Sequence, residues 1–182
     1  MAENTAKNTN AVEPLEPWMR GYLADLDPVL AAILYSLQQV REDVDRWKTL
    51  VTDDILWRRE GDIAPLGYQL RHLAGSTDRL ITYALGASLS EQQLESLRAE
   101  ENSDVSLRQM LSALEDALQR AEAMVRSTDP QSLGEARALG RKLIPTTLGG
   151  LLIHTAEHAQ RHVGELIVTI KLARQRRSPS QG

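Results

Sequence analysis

Four stretches of this chain place apolar residues three and four positions apart, and that spacing confines the chain to packed helices. Leu30, Ile33, Leu34, Leu37, Val40, Val44, Trp47 and Val51 form the first stripe, and Leu66, Leu70, Leu73, Leu80 and Ile81 the second. Leu107, Met110, Leu111, Leu114, Leu118, Met124 and Val125 form the third; Leu148, Leu151, Leu152, Val163, Leu166 and Ile170 form the fourth. Residues at these intervals share one face of an α-helix, and such a face must be buried against another element. No segment alternates at period two between turn signals, so the sequence predicts no sheet.

Local signals set the helix ends. Asp27 followed by Pro28 reads as an N-cap and a first helical residue, and Gly86 as a stop for the second helix. Ser90 with Gln93 three positions on has capping-box spacing and predicts a short extra helix. The segment "TDDILWRREGDIAP" interrupts the pattern after the first long helix. "RSTDPQSLGEARALGRKLIPTT" separates the third from the fourth, long enough to carry local structure or to rim a site. The expected fold class is all-α: a four-helix bundle with long connections after the first and third long helices, spanning residues 18–176 between a loose arm, 1–17, and a tail, 177–182.

At 182 residues the chain is long enough to bury a core without staples, so a metal would be more than a folding aid. It has no cysteine, which excludes disulfides, thiolate zinc sites and a cysteine nucleophile. Metal ligands must come from His, Asp or Glu. With 21 basic against 25 acidic residues, net charge −4, it offers no basic face to nucleic acid. Its one basic cluster, Lys171, Arg174, Arg176 and Arg177, suits the last turn of a helix and a solvated tail. No apolar run approaches a membrane span and no signal-type apolar segment opens the sequence, so the expected location is the cytoplasm.

Three of the four histidines, His154, His158 and His162, stand four residues apart on the fourth helix. Imidazoles at that spacing project from one face a turn apart and can reach a single ion. On a helical wheel His162 lies about 60°, His158 about 100° and His154 about 140° from the centre of the apolar stripe. His162 and His158 therefore border the core, and His154 leans outward. His72 lies roughly 120° from the middle of the second stripe, also at a border, beside Ser76 and Tyr83. Border histidines on two helices can face each other across an open groove, where three would bind a metal and leave a position for water or substrate. Each also has a plainer role: His72 as a core histidine bonded to a carbonyl, the HxxxH pairs as surface residues. HExxH is absent, which excludes a zincin.

The stretches "QLRHLAGSTDRLITYALG" and "EHAQRHVGELI" resemble the DinB-like, YfiT-related superfamily of metal-dependent enzymes. The likeness covers residues 20–175. Carried over position by position, it implies His72, His158 and His162 as metal ligands, and matches Gly164 and Glu165 to the end of the motif. The basic residue common after the last histidine is Val163 here. The resemblance implies a bundle with a long crossover, often a homodimer, holding a divalent transition metal such as zinc or nickel. Some relatives use a small-molecule thiol as transferases or isomerases. The functional expectation is thus a metal-dependent hydrolase or thiol-dependent transferase acting on a small molecule, with Glu165 as the candidate general base or as a partner that orients an imidazole. Its rival is a non-catalytic dimeric bundle whose metal is structural or vestigial, with Trp18, Tyr22 and Leu23 on a partner surface.

Overall fold

Asp27 opens the first long helix as its spacing predicts. In the computed structural model, which describes residues 14–175, its Oδ1 accepts from Val29 N at 2.9 Å, and Pro28 follows in the first turn. Helix α1 (Pro28–Trp47) buries Leu30, Leu34, Leu37 and Val40 completely. Each such side chain contributes about 2 kcal/mol relative to exposure. The helix ends at Trp47, earlier than the stripe suggests. A 3-10 turn (Lys48–Leu50) follows, and Val51 reaches the core from beyond it. The interrupting segment holds a one-turn helix, α2 (Asp53–Leu56), which inserts Ile55 and Leu56 into the core.

Helix α3 (Leu66–Ala84) carries the second stripe inward and stops two residues before Gly86, which takes φ +75°. The short helix α4 (Glu91–Arg98) has the capping box expected of Ser90 and Gln93. Helix α5 (Leu107–Ser127) opens with a second capping box, Ser106 with Gln109. Helix α6 (Leu148–Gln175) is the longest, and Thr147 Oγ1 accepts from Gly150 N at its start.

The expectation of no sheet is corrected by a small antiparallel hairpin in the connection after α5. Strands β1 (Ala136–Leu139) and β2 (Ile144–Thr147) pair Leu139 with Ile144 and Ala136 with Thr147. Four residues per strand are too few to show period two in the sequence. The turn is made by Gly140 and Leu143, both with positive φ. Arg137 Nε donates to Ala84 O at 2.7 Å, so the hairpin satisfies a carbonyl left open at the end of α3.

Helix α3 packs against α5 and α6, and α1 packs against the same two. Thus α1 and α3 occupy one diagonal of the bundle and α5 and α6 the other. The first connection, through α2, therefore crosses between non-adjacent helices, which accounts for its length, and it seats α6 beside α3.

The expected arm and tail fall mostly outside the described residues; of the arm, 14–17 are described, and Pro17 is buried at the start of a 3-10 turn (Pro17–Met19). Arg20 grips Glu42 of α1 through two 2.6 Å bonds, which holds this segment to the bundle. Trp18 and Tyr22 are exposed, while Leu23 packs partly on the core. No helix among the described residues is long and apolar enough to cross a membrane.

Candidate metal centre

The apolar faces that seat α6 against α3 fix the positions of the histidines. Leu151, Leu152, Ala159, Val163 and Leu166 bury one side of α6, and Leu70 and Leu73 bury one side of α3. His158 and His162 stand at the edge of the first face, and His72 at the edge of the second. The three rings meet in the crease: centroids lie 4.7 Å apart for His72 and His162, 5.5 Å for His72 and His158, and 4.4 Å for His158 and His162. One nitrogen from each comes within 4.8 Å of the others. Imidazole nitrogens sharing a tetrahedral zinc-sized ion stand about 3.3 Å apart, so small ring rotations close the set.

His154 is not part of this group. Its side chain is 44% exposed against 16% for His162, and its Nδ1 lies 3.0 Å from Glu157 Oε2. Arg161 also holds Glu157, so His154 belongs to a surface charge network one turn from the cluster. Val163, the residue directly after the last histidine, is buried in the core.

Two carboxylates set the ring tautomers. His72 Nδ1 lies 2.8 Å from Glu100 Oε2, and His162 Nδ1 lies 2.9 Å from Glu165 Oε2. An ionised carboxylate only accepts, so each Nδ1 carries the proton and each Nε2 keeps its lone pair. Carboxylate-backed imidazoles of this kind are the usual support for a metal-binding histidine. His158 Nδ1 is buried without a hydrogen bond, an orphaned polar atom inside a cluster of like groups.

Electrostatics favour the neutral forms of His158 and His162. Burial, then the neighbouring His162 and His72, push His158 down to about 4. Burial and His72 push His162 down, against the opposing pull of Glu165. Glu100 is pulled the other way: burial raises it, but the hydrogen bond from His72 and the charge of Arg79 outweigh that and keep it below the ordinary carboxylate range. Neutral imidazoles and an ionised supporting carboxylate are the protonation states metal ligation requires.

Glu100 and Tyr68 escape sequence reasoning. Glu100 is 5% exposed in the turn after α4, with Arg79 Nη1 2.9 Å from its Oε1, at ion-pair distance but off hydrogen-bond alignment. Tyr68 stacks on His72 with centroids 5.7 Å apart and planes 10° from parallel. Its position one turn before His72 was the available signal. Burial and Glu100 raise its hydroxyl, which stays a donor. Ser76, expected beside the groove, is buried and donates to Leu73 O on its own helix, and Tyr83 packs partly on the core. Glu165, one turn beyond His162, is a carboxylate bonded to that ring, with a half-exposed side chain.

No curated protein matches the chain. Among solved structures it is similar to YfiT from Bacillus subtilis, described as a probable metal-dependent hydrolase with an unusual four-helix bundle topology. The TM-score is 0.61 at 18% identity, covering 81% of this chain and 87% of that one, a likeness of fold. The family description "DinB superfamily" matches residues 36–166, a span that includes His72, His158, His162 and Glu165. By that match over most of its length, the chain belongs to the DinB superfamily.

Proposed function

We propose that this protein is a divalent-metal-dependent enzyme that activates water for hydrolysis of a small molecule, with His72, His158 and His162 as the ligands. The observation that carries this reading is the approach of three imidazole nitrogens to within 4.8 Å from two separate helices. The residues fit a borderline transition metal such as zinc or nickel: three nitrogen donors, two backed by carboxylates, and an orphaned third that the cluster otherwise leaves without reason. When bound, such an ion supplies a Lewis acid at which water or a small thiol loses its proton near neutral pH.

The chain's own groups do the rest. Glu100 and Glu165 hold His72 and His162 in the tautomer that presents Nε2. Glu165 bonds His162 at Nδ1, on the far side of the ring from Nε2, which favours the orienting role over that of general base. The Tyr68 hydroxyl stays protonated and can donate to a substrate oxygen. The absence of cysteine leaves a borrowed thiol as the alternative nucleophile. A small molecule, not nucleic acid, suits the slightly acidic composition, and we propose a homodimer acting in the cytoplasm.

Metal analysis of purified protein tests this reading. About one transition metal per chain is expected, lost in His72→Ala, His158→Ala and His162→Ala and retained in His154→Ala. A cobalt-substituted sample should change its visible spectrum on adding a small anion or thiol, which shows an exchangeable ligand. An unresponsive spectrum overturns the enzyme and leaves the non-catalytic bundle. Ester and amide panels against thiol-adduct panels then choose the nucleophile.

A further inference from the structure

Behind His72, α3, α4 and α5 line an open cleft of about 580 Å³ to which α6 contributes no residue. Its volume is that of a small-molecule site. Glu100 stands in the wall between this cleft and the imidazoles, with Oε2 toward His72 and Oε1 toward Arg79.

Arg79 is the unusual member of the lining. It is 8% exposed, yet among the described residues its one partner is Glu100, without an aligned hydrogen bond. A guanidinium carries five N–H donors, and a charge this buried ordinarily gathers acceptors. The other two arginines of the cleft are engaged: Arg71 with Asn102 O and Asp104, Arg120 with Asp78 through two nitrogens. Gly75 makes the room. A Cβ there would stand 2.7 Å from Arg79 Nη1 and 3.0 Å from Glu100 Oε1.

We propose that this cleft binds a small carboxylate, gripped by the open edge of Arg79. Two carboxylate oxygens match two parallel N–H groups of a guanidinium. A phosphate fits less well, because Asp78, Asp116 and Glu100 balance the three arginines and oppose a second negative charge. The body of the ligand would lie along Gln92, Gln109, Val105 and Met110, a wall of amide and apolar groups. Because Arg79 and His72 share Glu100, an occupant that draws Arg79 aside alters the support of His72. By reciprocity, metal and carboxylate then change each other's affinity. This linkage rests on the metal reading; the cleft site does not.

The test is a titration of the metal-free, ¹⁵N-labelled full chain with acetate and succinate, observing the Gly75 amide and the Arg79 Nε–H. Saturable shifts are expected, with none from chloride at equal ionic strength. Arg79→Lys keeps the charge facing Glu100 but removes the fork, and should weaken binding at least tenfold while its circular dichroism stays native. Arg120→Lys should bind within twofold of wild type. Shifts that never saturate, equal binding by Arg79→Lys, or tighter binding of inorganic phosphate overturn the proposal. A zinc titration with and without saturating acetate reads the linkage: changed zinc affinity supports it, and unchanged affinity removes the linkage while the cleft site stands. Zinc that fails to bind at all fails the metal reading and leaves the acetate result intact.

Discussion

Glu100 Oε2 sits 2.8 Å from His72 Nδ1 although 28 residues separate them in sequence. The contact exists because α4 and the turn after it fold back along α3, and it joins a buried ion pair to the imidazole cluster. Glu100→Gln separates its two effects. Arg79 loses its one compensating charge in a buried setting, which should cost about 3 kcal/mol. His72 loses an ionised acceptor, which should weaken metal binding about 10–100-fold. Urea unfolding of the chelated protein measures the first, and competition with a zinc indicator the second.

Gly75→Ala should disturb the site more than the fold. Alanine gains about 1 kcal/mol over glycine within a helix. The atoms its Cβ meets are the far ends of Arg79 and Glu100, which can swing away. Thermal stability should therefore change by less than about 1 kcal/mol, while metal affinity falls several-fold as Glu100 is displaced from His72. A large drop in melting temperature would refute this.

The metal-free protein should lose stability in mild acid. His158 is held near 4 and His162 is also lowered, so both take up protons more readily in the unfolded chain, near the ordinary 6.5. Protons then favour unfolding. Their contribution is complete above about 6.5 and declines as pH falls toward 4. The urea midpoint of chelated wild type should drop across that window, and His158→Asn should flatten the drop.

Chelation should leave the helices intact. The core runs through all four long helices and includes none of the histidines, so no part of it waits on an ion. Circular dichroism with and without chelator should agree. Zinc at a hundred times its dissociation constant should add about 2.7 kcal/mol to wild type. It should add nothing to His72→Ala.

What could be read from sequence divides by range. Asp27, Pro28, Ser90 and Gln93 act on atoms within one turn, so their identities and spacing suffice. The three clustered histidines were legible because a wheel converts position into face, and the apolar stripes say which face is inward. His154 was set apart by the same means. Glu100 has no such rule. It lies in a turn, belongs to no stripe, and meets His72 only through the return of α4 along α3. The hairpin was hidden for a different reason: Leu143 takes φ +50°, a conformation that its residue type does not announce.

The placement of the three clustered histidines on α3 and α6, seated together only after the chain has crossed the bundle's diagonal, bears on the order of assembly. During synthesis His72 emerges long before its companions, and the pair on α6 offers at most a two-point grip. A cation gripped at all three points would thus arrive last, in a cleft that packing has already shaped. On the proposed metal reading, such an ion could be withdrawn and returned without taking the protein apart, so metal supply would act on the site independently of how much of the protein has folded.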